Sequence, residues 1–410
     1  MKKSRLILLW LLISALLFAG CGEALENGDT DKEAVPPSQN SEASSEPVIE
    51  TTESKIESLI SQMSLREKVG QLFMIRPDAL DFDLPQEEID NAYIEGVTEL
   101  DESLLKNLSE YPAGGIVIFS KNLKSPEQIK AFNEELQKNS KIPLFISVDE
   151  EGGQVARLAN HPDFDLPAYY SAYYAVRDGG SEKALQMGDT IGKYLHSFGF
   201  NMDFAPVADV NTNPNNPVIG VRAFSSDPHE AAKMASAFSK GLRDNEIIPV
   251  FKHFPGHGDT NEDSHYGIAV NRKNLEELKA CELIPFAEAS AKDCIMAGHI
   301  ASPNISDDMT PASLSHKMIT EILKEELGFD GLVVTDSLSM GAIINYYTPA
   351  QASLSAIKAG CHILLMPNDY KTSFDSVVSA VEKGEITEEE INGIVNKILT
   401  FKFENGILVL

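Results

Sequence analysis

The sequence predicts a single (β/α)₈ barrel as the folded body, on two observations. Eight short apolar runs recur between residues 71 and 367, each nearly continuous, as strands buried on both faces of a parallel sheet should be. Segments with helical spacing of apolar residues separate the runs, which gives eight strand–helix units. An open, doubly wound sheet is the alternative arrangement of the same units.

The eight runs can be followed in order along the chain. They cover residues 71–75, 114–119, 143–149, 201–208, 247–254, 294–300, 331–336 and 361–367. Helical patterns between them include residues 125–139, 184–199, 228–244 and 274–290. Active sites of such barrels lie at the C-terminal ends of the strands. The polar residues that close the runs there are Arg76, Asp149, Asp209, Lys252 with His253, His299 and Asp336.

The apolar fraction and the net charge indicate a globular protein that does not bind nucleic acid. The chain has 410 residues, and its 43% apolar fraction is enough for a full core. Its 34 basic and 62 acidic residues give a net charge of −28. This balance argues against a nucleic-acid partner, because phosphate backbones require a positive surface.

The first 21 residues resemble a bacterial lipoprotein signal peptide. A basic start precedes a short apolar run over residues 6–19, and Gly20 and Cys21 follow it. Phe18 departs from the pattern, because leucine is usual there. An uncleaved membrane anchor is the alternative. In either case we expect a body outside the cytoplasmic membrane, with Cys21 carrying lipid if the signal is cleaved.

Residues 22–54 are predicted to be a disordered acidic linker. They hold nine acids against one lysine and few large apolar residues, too little to bury for folding. The barrel domain is predicted over residues 55–410, beginning with a helical segment in which Ser64 is a plausible N-cap and Glu67 its capping partner. The three cysteines of the body, Cys281, Cys294 and Cys361, fit no zinc motif and are expected to be buried free thiols.

Two acidic residues at predicted strand ends, Asp336 and Asp149, each have two possible roles. Asp336 closes the run 331–336, where it could cap the next helix or act as a nucleophile on the anomeric carbon of a sugar. Asp149 opens the segment "DEEGGQVAR", which ends at Arg157. That segment could be a tight turn with solvated acids, or the aspartate could accept hydrogen bonds from sugar hydroxyls.

The segment 252–265, "KHFPGHGDTNEDSH", carries the strongest pattern. It lacks the pattern of a phosphate-binding P-loop. A metal site is an alternative, with ligands of suitable type but unusual spacing at His257, Asp259, Asp263 and His265.

A general acid–base loop is the interpretation we favour for this segment. Asp263 and His265 are two residues apart, so an extended backbone would place both side chains on one side, where the carboxylate can orient the imidazole. Lys252 and His253 at the strand end could hold substrate hydroxyls. Gly256 and Gly258 are expected to let the loop move over the pocket.

These motifs together resemble glycoside hydrolase family 3, specifically its β-N-acetylhexosaminidase subgroup. The resemblance covers about residues 57–405. It rests on eight motifs in the right order: "GGIVIFSKN", "FISVDEEGGQVARL", "DFAPVADV", "GVRAF", "KHFPGHGDTNEDSH", "MAGHI", "GLVVTDSLSMGAI" and "AGCHILLMP".

The resemblance implies a retaining mechanism without metal or organic cofactor. Asp336 matches the nucleophile that forms a covalent glycosyl-enzyme intermediate, and His265 with its partner Asp263 matches an acid/base that replaces the usual second carboxylic acid. The residues that match ligands of N-acetylglucosamine are Asp149, Arg157, Arg222, Lys252 and His253, with His299 as a further candidate.

The chain departs from the family pattern at His362, where relatives commonly carry an acid, and local packing or a sugar contact could differ there. We also expect no sandwich-like domain of the kind that larger members carry, which would argue against the β-glucosidase branch. We expect a lipid-anchored, monomeric exo-β-N-acetylglucosaminidase acting on peptidoglycan fragments or related glycans. The alternatives are a glycoside phosphorylase that uses the same residues, a β-glucosidase, and a non-catalytic glycan-binding lipoprotein.

Overall fold

The computed structural model describes residues 51–410. The predicted signal peptide, its Cys21 and residues 22–50 of the predicted linker lie outside the described residues. The first helix begins at Thr52, three residues before the predicted start of the folded body at Lys55. Within residues 51–410, no helix combines the length and the apolar character needed to cross a bilayer.

Eight parallel strands form the barrel, and a separate pair of short strands lies beside it. In chain order the strands are β1 Phe73–Ile75, β2 Gly115–Ile118, β3 Phe145–Val148, β4 Met202–Asp203, β5 Ile248–Phe254, β6 Ala269–Val270, β7 Cys294–Ala297, β8 Ile300–Ala301, β9 Leu332–Thr335 and β10 Leu364–Leu365. β6 pairs only with β8, and the other eight form one sheet in chain order, with β10 pairing with β1.

The eight-stranded sheet closes on itself. A parallel bridge between Val334 and Ile363 joins β9 to the residues that lead into β10. The predicted barrel is therefore confirmed, and the open doubly wound sheet is wrong. Each of the eight predicted apolar runs contains one barrel strand.

Helices surround the barrel. They are α1 Thr52–Gln62, α2 Leu65–Gln71, α3 Gln86–Asp90, α4 Glu102–Glu110, α5 Pro126–Lys138, α6 Ala172–Val176, α7 Gly180–Ser197, α8 Pro228–Arg243, α9 Leu275–Lys279, α10 Pro303–Ser306, α11 Gly341–Ile344, α12 Pro349–Ala359, α13 Tyr370–Glu382 and α14 Glu388–Glu404, with a π-helix over Lys317–Glu326. Ser64 is the N-cap of α2 and forms a capping box with Glu67, as predicted.

One predicted helix is much shorter than its sequence pattern. The helical pattern over residues 274–290 yields only α9, which ends at Lys279. Glu282 turns inward, is fully buried, and would contact any side chain added at Gly256. Pro285, which has no N–H to donate, lies in the irregular turns that follow. Burial of one acid thus overrides the local helical preference.

The core fills the barrel and the layer between barrel and helices. Phe73, Phe145 and Phe251 are fully buried at strand positions. The three cysteines are free thiols, with Cys294 and Cys361 buried and Cys281 partly exposed. The core supports the C-terminal strand ends, where polar side chains surround an open cavity.

Candidate active site

A cavity of about 490 Å³ opens at the C-terminal ends of the strands. It brings together most of the residues that the sequence singles out, although they come from different strands and loops. The predicted site residues that line it are Asp149, Arg157, Arg222, Lys252, His253, His265 and Asp336. Asp263 reaches the cavity through its contact with His265.

A network of buried charges forms one part of the cavity wall. Lys252 Nζ lies 2.7 Å from a carboxylate oxygen of Asp149 and 2.7 Å from one of Glu151. Arg222 donates two hydrogen bonds to Glu151, of 2.9 Å from Nε and 2.7 Å from Nη2. Arg157 Nη2 donates to Asp149 over 3.2 Å. Two carboxylates and three cations therefore face one another here.

The opposite charges of these groups stabilise one another, so each group stays ionised although the network is largely buried. Burial acts to raise the pKa of Glu151, but the charges of Arg222 and Lys252 outweigh it and lower the pKa to about 2. Burial also acts to raise the pKa of Asp149, and Lys252 and Arg157 likewise hold it well below its usual range. Burial would lower the pKa of Lys252, yet the two facing carboxylates raise it. The wall thus offers fixed charges that can hydrogen-bond to polar groups of a ligand.

Glu150, between the two wall acids, points away from the cavity. Its carboxylate accepts hydrogen bonds of 2.9 Å from the N–H groups of Leu158 and Ala159, and one of 2.8 Å from Tyr194 Oη. Its own N–H donates to Asp203 Oδ1 over 2.9 Å. These bonds fix the turn on which Asp149, Glu151 and Arg157 are mounted.

The base of the predicted acid–base loop is held by the segment that follows β4. Asp209 is fully buried, lies 2.8 Å from His253 Nδ1, and accepts a 2.6 Å hydrogen bond from the N–H of His257. Asn216 Nδ2 donates to the carbonyl groups of His257 and Thr260. The His257 ring contacts Thr260 Oγ1 and Ser264 Oγ, at 2.6 and 3.1 Å. His257 therefore stabilises the loop from within.

The two glycines of this loop lie at close contacts with neighbouring segments. A Cβ at Gly258 would lie 1.9 Å from the carbonyl oxygen of Val210, and one at Gly256 would lie 2.7 Å from the side chain of Glu282. Gly256 also has a φ of 120°, which side-chain-bearing residues rarely adopt. Both glycines are thus buried at these contacts, and movement of the loop over the cavity stays a prediction.

Asp263 and His265 form the predicted pair at the exposed end of the loop. His265 Nδ1 lies 2.7 Å from Asp263 Oδ1, which also accepts a 2.9 Å hydrogen bond from the His265 N–H. Burial acts to raise the pKa of Asp263, but these hydrogen bonds outweigh it and lower the pKa. The imidazole is 61% exposed, so its Nε2 side is open to a ligand. Within residues 51–410, the candidate metal ligands do not come together as a group that could hold a metal ion, and Asp259 instead accepts a hydrogen bond from Thr212.

Asp336 lies directly after β9. Its N–H donates to the carbonyl of Ala297 over 2.8 Å, and its Oδ1 accepts a 2.7 Å hydrogen bond from the N–H of Ser337. Burial acts to raise its pKa, but the nearby His299 and His253 outweigh it, so the pKa is lowered. Asp336 is therefore a carboxylate that remains ionised in a largely enclosed position.

Two histidines singled out from the sequence lie away from the cavity. His299 is fully buried, and its ring nitrogens contact Ser313 Oγ at 2.8 Å and the Ser337 carbonyl at 2.7 Å. Both nitrogens are occupied, so His299 supports the Asp336 loop and is not free to bind a sugar. His362 accepts a 2.9 Å hydrogen bond from the N–H of Val333 and lies 3.1 Å from Lys324 Nζ. Its departure from the family pattern thus affects packing behind β9.

Several residues that line the cavity were not identified from the sequence, among them Asp90, Phe119, Glu151 and Ser264. Glu151 stands in the acidic "DEE" turn, so period-two alternation after Asp149 could have identified it. Asp90 comes from a distant segment and accepts a 2.9 Å hydrogen bond from Arg76, whose guanidinium lies 4.4 Å from the Phe119 ring centroid. No local pattern joins those residues.

The arrangement combines two chemical capacities in one cavity. An ionised carboxylate, Asp336, can attack an electrophilic carbon, and the His265–Asp263 pair can give or take a proton. Backbone hydrogen bonds link the two parts, because Gly341, five residues after Asp336, donates its N–H to the His265 carbonyl over 3.1 Å. The cavity can therefore support displacement at a carbon with proton transfer to the leaving group.

Comparisons with known proteins find a matching family and related sequences. The family model described as the glycosyl hydrolase family 3 N terminal domain matches residues 64–401. The chain is 33% identical over 333 residues to a β-hexosaminidase A of Pseudoalteromonas piscicida, an alignment that covers 75% of this chain and 56% of that relative. It is 34% identical over 272 residues to a β-hexosaminidase of Hydrogenovibrio crunogenus, covering 65% of this chain and 75% of the relative.

Among solved structures, the chain is similar to a family 3 β-N-acetylglucosaminidase from Paenibacillus sp. FPU-7. The sequence identity is 34% and the TM-score is 0.75, over 85% of this chain and 65% of that one. The chain thus spans a little more than half the length of the Pseudoalteromonas relative and about two thirds of the Paenibacillus protein.

Proposed function

The chain belongs to glycosyl hydrolase family 3, and from that premise we propose that it is a retaining β-N-acetylglucosaminidase that removes terminal β-linked N-acetylglucosamine. Relatives named β-hexosaminidase and a structural neighbour titled β-N-acetylglucosaminidase support the choice of sugar. Peptidoglycan fragments or related glycans are the proposed substrates.

One observation carries the proposal. Asp336 and His265 line the same cavity, and the loop that bears His265 is hydrogen-bonded to the residues that follow Asp336. A retaining glycosidase needs a nucleophile and a proton donor on the two sides of one glycosidic bond. The fixed charges of Lys252, Asp149 and Arg222 supply the hydrogen-bonding wall that a hydroxyl-rich ring requires.

The proposed mechanism has two steps. In the first, the Asp336 carboxylate attacks the anomeric carbon while His265 gives its proton to the departing glycosidic oxygen, and a glycosyl-enzyme ester results. In the second, His265 takes a proton from water, which attacks the same carbon and releases Asp336. Asp263 stabilises the imidazolium and holds the ring by its 2.7 Å contact with Nδ1.

The test is hydrolysis of 4-nitrophenyl N-acetyl-β-glucosaminide by the full chain and by Asp336→Ala. We expect turnover by the wild type, release of the β-anomer first, and a loss of at least about a thousandfold in the variant. A wild type without activity on this substrate, or one that prefers the corresponding glucoside, would overturn the proposal.

The same assay can also distinguish hydrolysis from transfer of the sugar to phosphate. Turnover with and without inorganic phosphate, with detection of N-acetylglucosamine 1-phosphate, distinguishes hydrolysis from phosphorolysis. Hydrolysis predicts equal rates and free sugar as the product. Accumulation of the sugar phosphate would instead assign the same residues to a phosphorylase.

The proposed location is outside the cytoplasmic membrane, with a lipid anchor at Cys21 and a monomeric body. The basic and apolar start of the sequence, followed by Gly20 and Cys21, supports it. Cells expressing the full chain should incorporate labelled palmitate into it, and Cys21→Ser should abolish that labelling. Retention of the label by the variant would contradict the anchor.

A further inference from the structure

Three tyrosines form an exposed cluster at α6. We call Tyr170, Tyr173 and Tyr174 the tyrosine patch; their exposed fractions are 80%, 41% and 45%. Tyr174 is its centre, with ring centroids 5.2 Å from those of Tyr170 and Tyr173 and interplanar angles of 73° and 86°. Single exposed aromatic residues are common, but clustered ones mark binding surfaces.

The patch lies on the same face of the barrel as the cavity. Its residues follow the C-terminal end of β3, as do the wall residues Asp149 and Glu151. The backbone of Ser171 packs so closely on Gly153 that a Cβ there would lie 2.6 Å from the Ser171 Cα. Helix α6 also contacts the turn that ends at Arg222. The patch is therefore continuous with the cavity wall through two contacts.

The chemistry of the patch favours an uncharged ligand. The chain carries a net charge of −28, which disfavours polyanions. The patch itself presents neutral rings, and the Arg177 guanidinium that lies 5.6 Å from the Tyr174 ring centroid is paired with Asp178. A tyrosine ring offers a flat apolar face and a hydroxyl group, with little conformational entropy to lose on binding. Pyranose rings offer the complementary surface, with an apolar C–H face and hydroxyls at the edge.

We infer that the tyrosine patch is a second glycan site, which binds neutral N-acetylglucosamine polymers by stacking of sugar rings on Tyr170 and Tyr174. The inference rests on the proposed function for its class of glycan. Occupation of both sites by one polymer would retain the enzyme on its substrate, because the second contact is intramolecular. Substrates short enough to fill only the cavity would gain nothing from the patch.

The test measures binding apart from catalysis. In the inactive Asp336→Ala background, retention on insoluble chitin is compared between the parent and the Tyr170→Ala/Tyr174→Ala double variant. We expect about tenfold weaker retention in the double variant. Retention by the parent should be insensitive to salt, since stacking involves no net charge. Phenylalanine at both positions should preserve binding, and Tyr93→Ala, which removes a lone exposed tyrosine, should leave it unchanged.

The kinetics of the chain with Asp336 intact distinguish a failure of this inference from a failure of the proposed function. The tyrosine double variant should hydrolyse the small 4-nitrophenyl substrate at the wild-type kcat/KM. Equal retention of parent and double variant on chitin would overturn the second site while leaving the proposed function standing. A self-association of the wild type that the double variant lacks would also overturn it, because a second copy of the chain would then cover the patch.

Discussion

Three consecutive acids after β3 have different roles because their surroundings differ. Asp149 and Glu151 face cations and stay ionised, whereas Glu150 faces backbone N–H groups and the Tyr194 hydroxyl. Burial raises the pKa of Glu150, and it raises that of neighbouring Asp203 well above its usual value. Glu150 is thus a positioning residue beneath the cavity wall.

Removal of one hydrogen bond from Glu150 tests that role. Tyr194→Phe should reduce the free energy of unfolding by about 1 kcal/mol. It should also raise KM for the chromogenic substrate roughly tenfold, with a smaller effect on kcat, because the turn bearing Asp149 and Arg157 loosens. Steady-state kinetics and urea unfolding measure the two effects.

Tyr370→Phe is the matched control for Tyr194→Phe. Tyr370 is also buried, and its hydroxyl donates to the carbonyl groups of Tyr111 and Pro112, away from the cavity. A similar loss of stability with an unchanged KM is expected. If both variants raised KM equally, the role assigned to Glu150 would be wrong.

The ionised state of Glu151 predicts how stability depends on pH. Its pKa in the folded chain, about 2, lies below the ordinary value of 4.5, so the unfolded chain binds the proton more readily. The stabilisation is present above pH 4.5 and is lost as pH falls towards 2. Between pH 6 and pH 3 the wild type should lose about 2 kcal/mol more than Glu151→Gln in urea unfolding.

The exposed pair of Glu95 and Lys124 provides the comparison for Glu151. Their charged groups lie 2.6 Å apart at the surface, where ion pairs contribute little. Glu95→Gln should therefore retain the pH slope of the wild type. Parallel slopes for wild type and Glu151→Gln would exclude the buried network as a source of stability.

At the scale of elements, strands were predictable and the loop geometry was not. Continuous apolar runs, such as 143–149, report burial on both faces, which is a local property of the sequence. The helix predicted over 274–290 failed because Glu282 is buried against Gly256, which comes from another segment, and pairs with Lys273 just before the helix. For the same reason, the pair Asp263 and His265 could be found from spacing and a family resemblance, but the Arg76–Asp90 contact could not.

The base of the acid–base loop suggests a further positioning residue. Lys273 contacts the buried carboxylate of Glu282 and lies 3.3 Å from Asp259, so it ties the loop to the residues behind it. Burial acts to lower the pKa of Lys273, but these acids raise it and keep it charged. Loss of this ion pair should displace His265 without altering the charged cavity wall formed by Asp149, Glu151 and Lys252.

Leaving-group dependence can reveal that displacement. Lys273→Met should lower kcat/KM about tenfold for a phenyl N-acetylglucosaminide, whose departure needs a proton. A 2,4-dinitrophenyl substrate should lose little, since its leaving group departs unprotonated. Lys279→Met, which removes an exposed lysine paired with Glu326, is the control and should affect neither substrate. Equal losses on both substrates would show damage to the wall and not to proton transfer.

At the scale of the whole molecule, the C-terminal helix α14 closes the barrel at the end opposite the cavity. Lys402 of α14 is fully buried there, and its Nζ donates to Gln71 Oε1 and to the carbonyl of Gly114, both over 2.9 Å. It lies 4.7 Å from the Phe145 ring centroid. Burial lowers its pKa to about 7, because no carboxylate compensates the lost hydration.

Because of this lysine, the free energy of unfolding should vary with pH in the alkaline range. Between pH 7 and about 8.5 the unfolded chain keeps the Lys402 proton and the folded chain releases it, so this group makes stability rise by about 1.4 kcal/mol per pH unit. At higher pH the buried thiols of Cys294 and Cys361 oppose the rise, because burial raises their pKa. Lys402→Met should abolish that rise in urea unfolding and be more stable than the wild type below pH 7. Lys68, also buried but paired with Glu388 over 2.8 Å, is the control. Lys68→Met should destabilise at every pH and keep the slope, whereas a slope retained in Lys402→Met would refute the neutral state of Lys402.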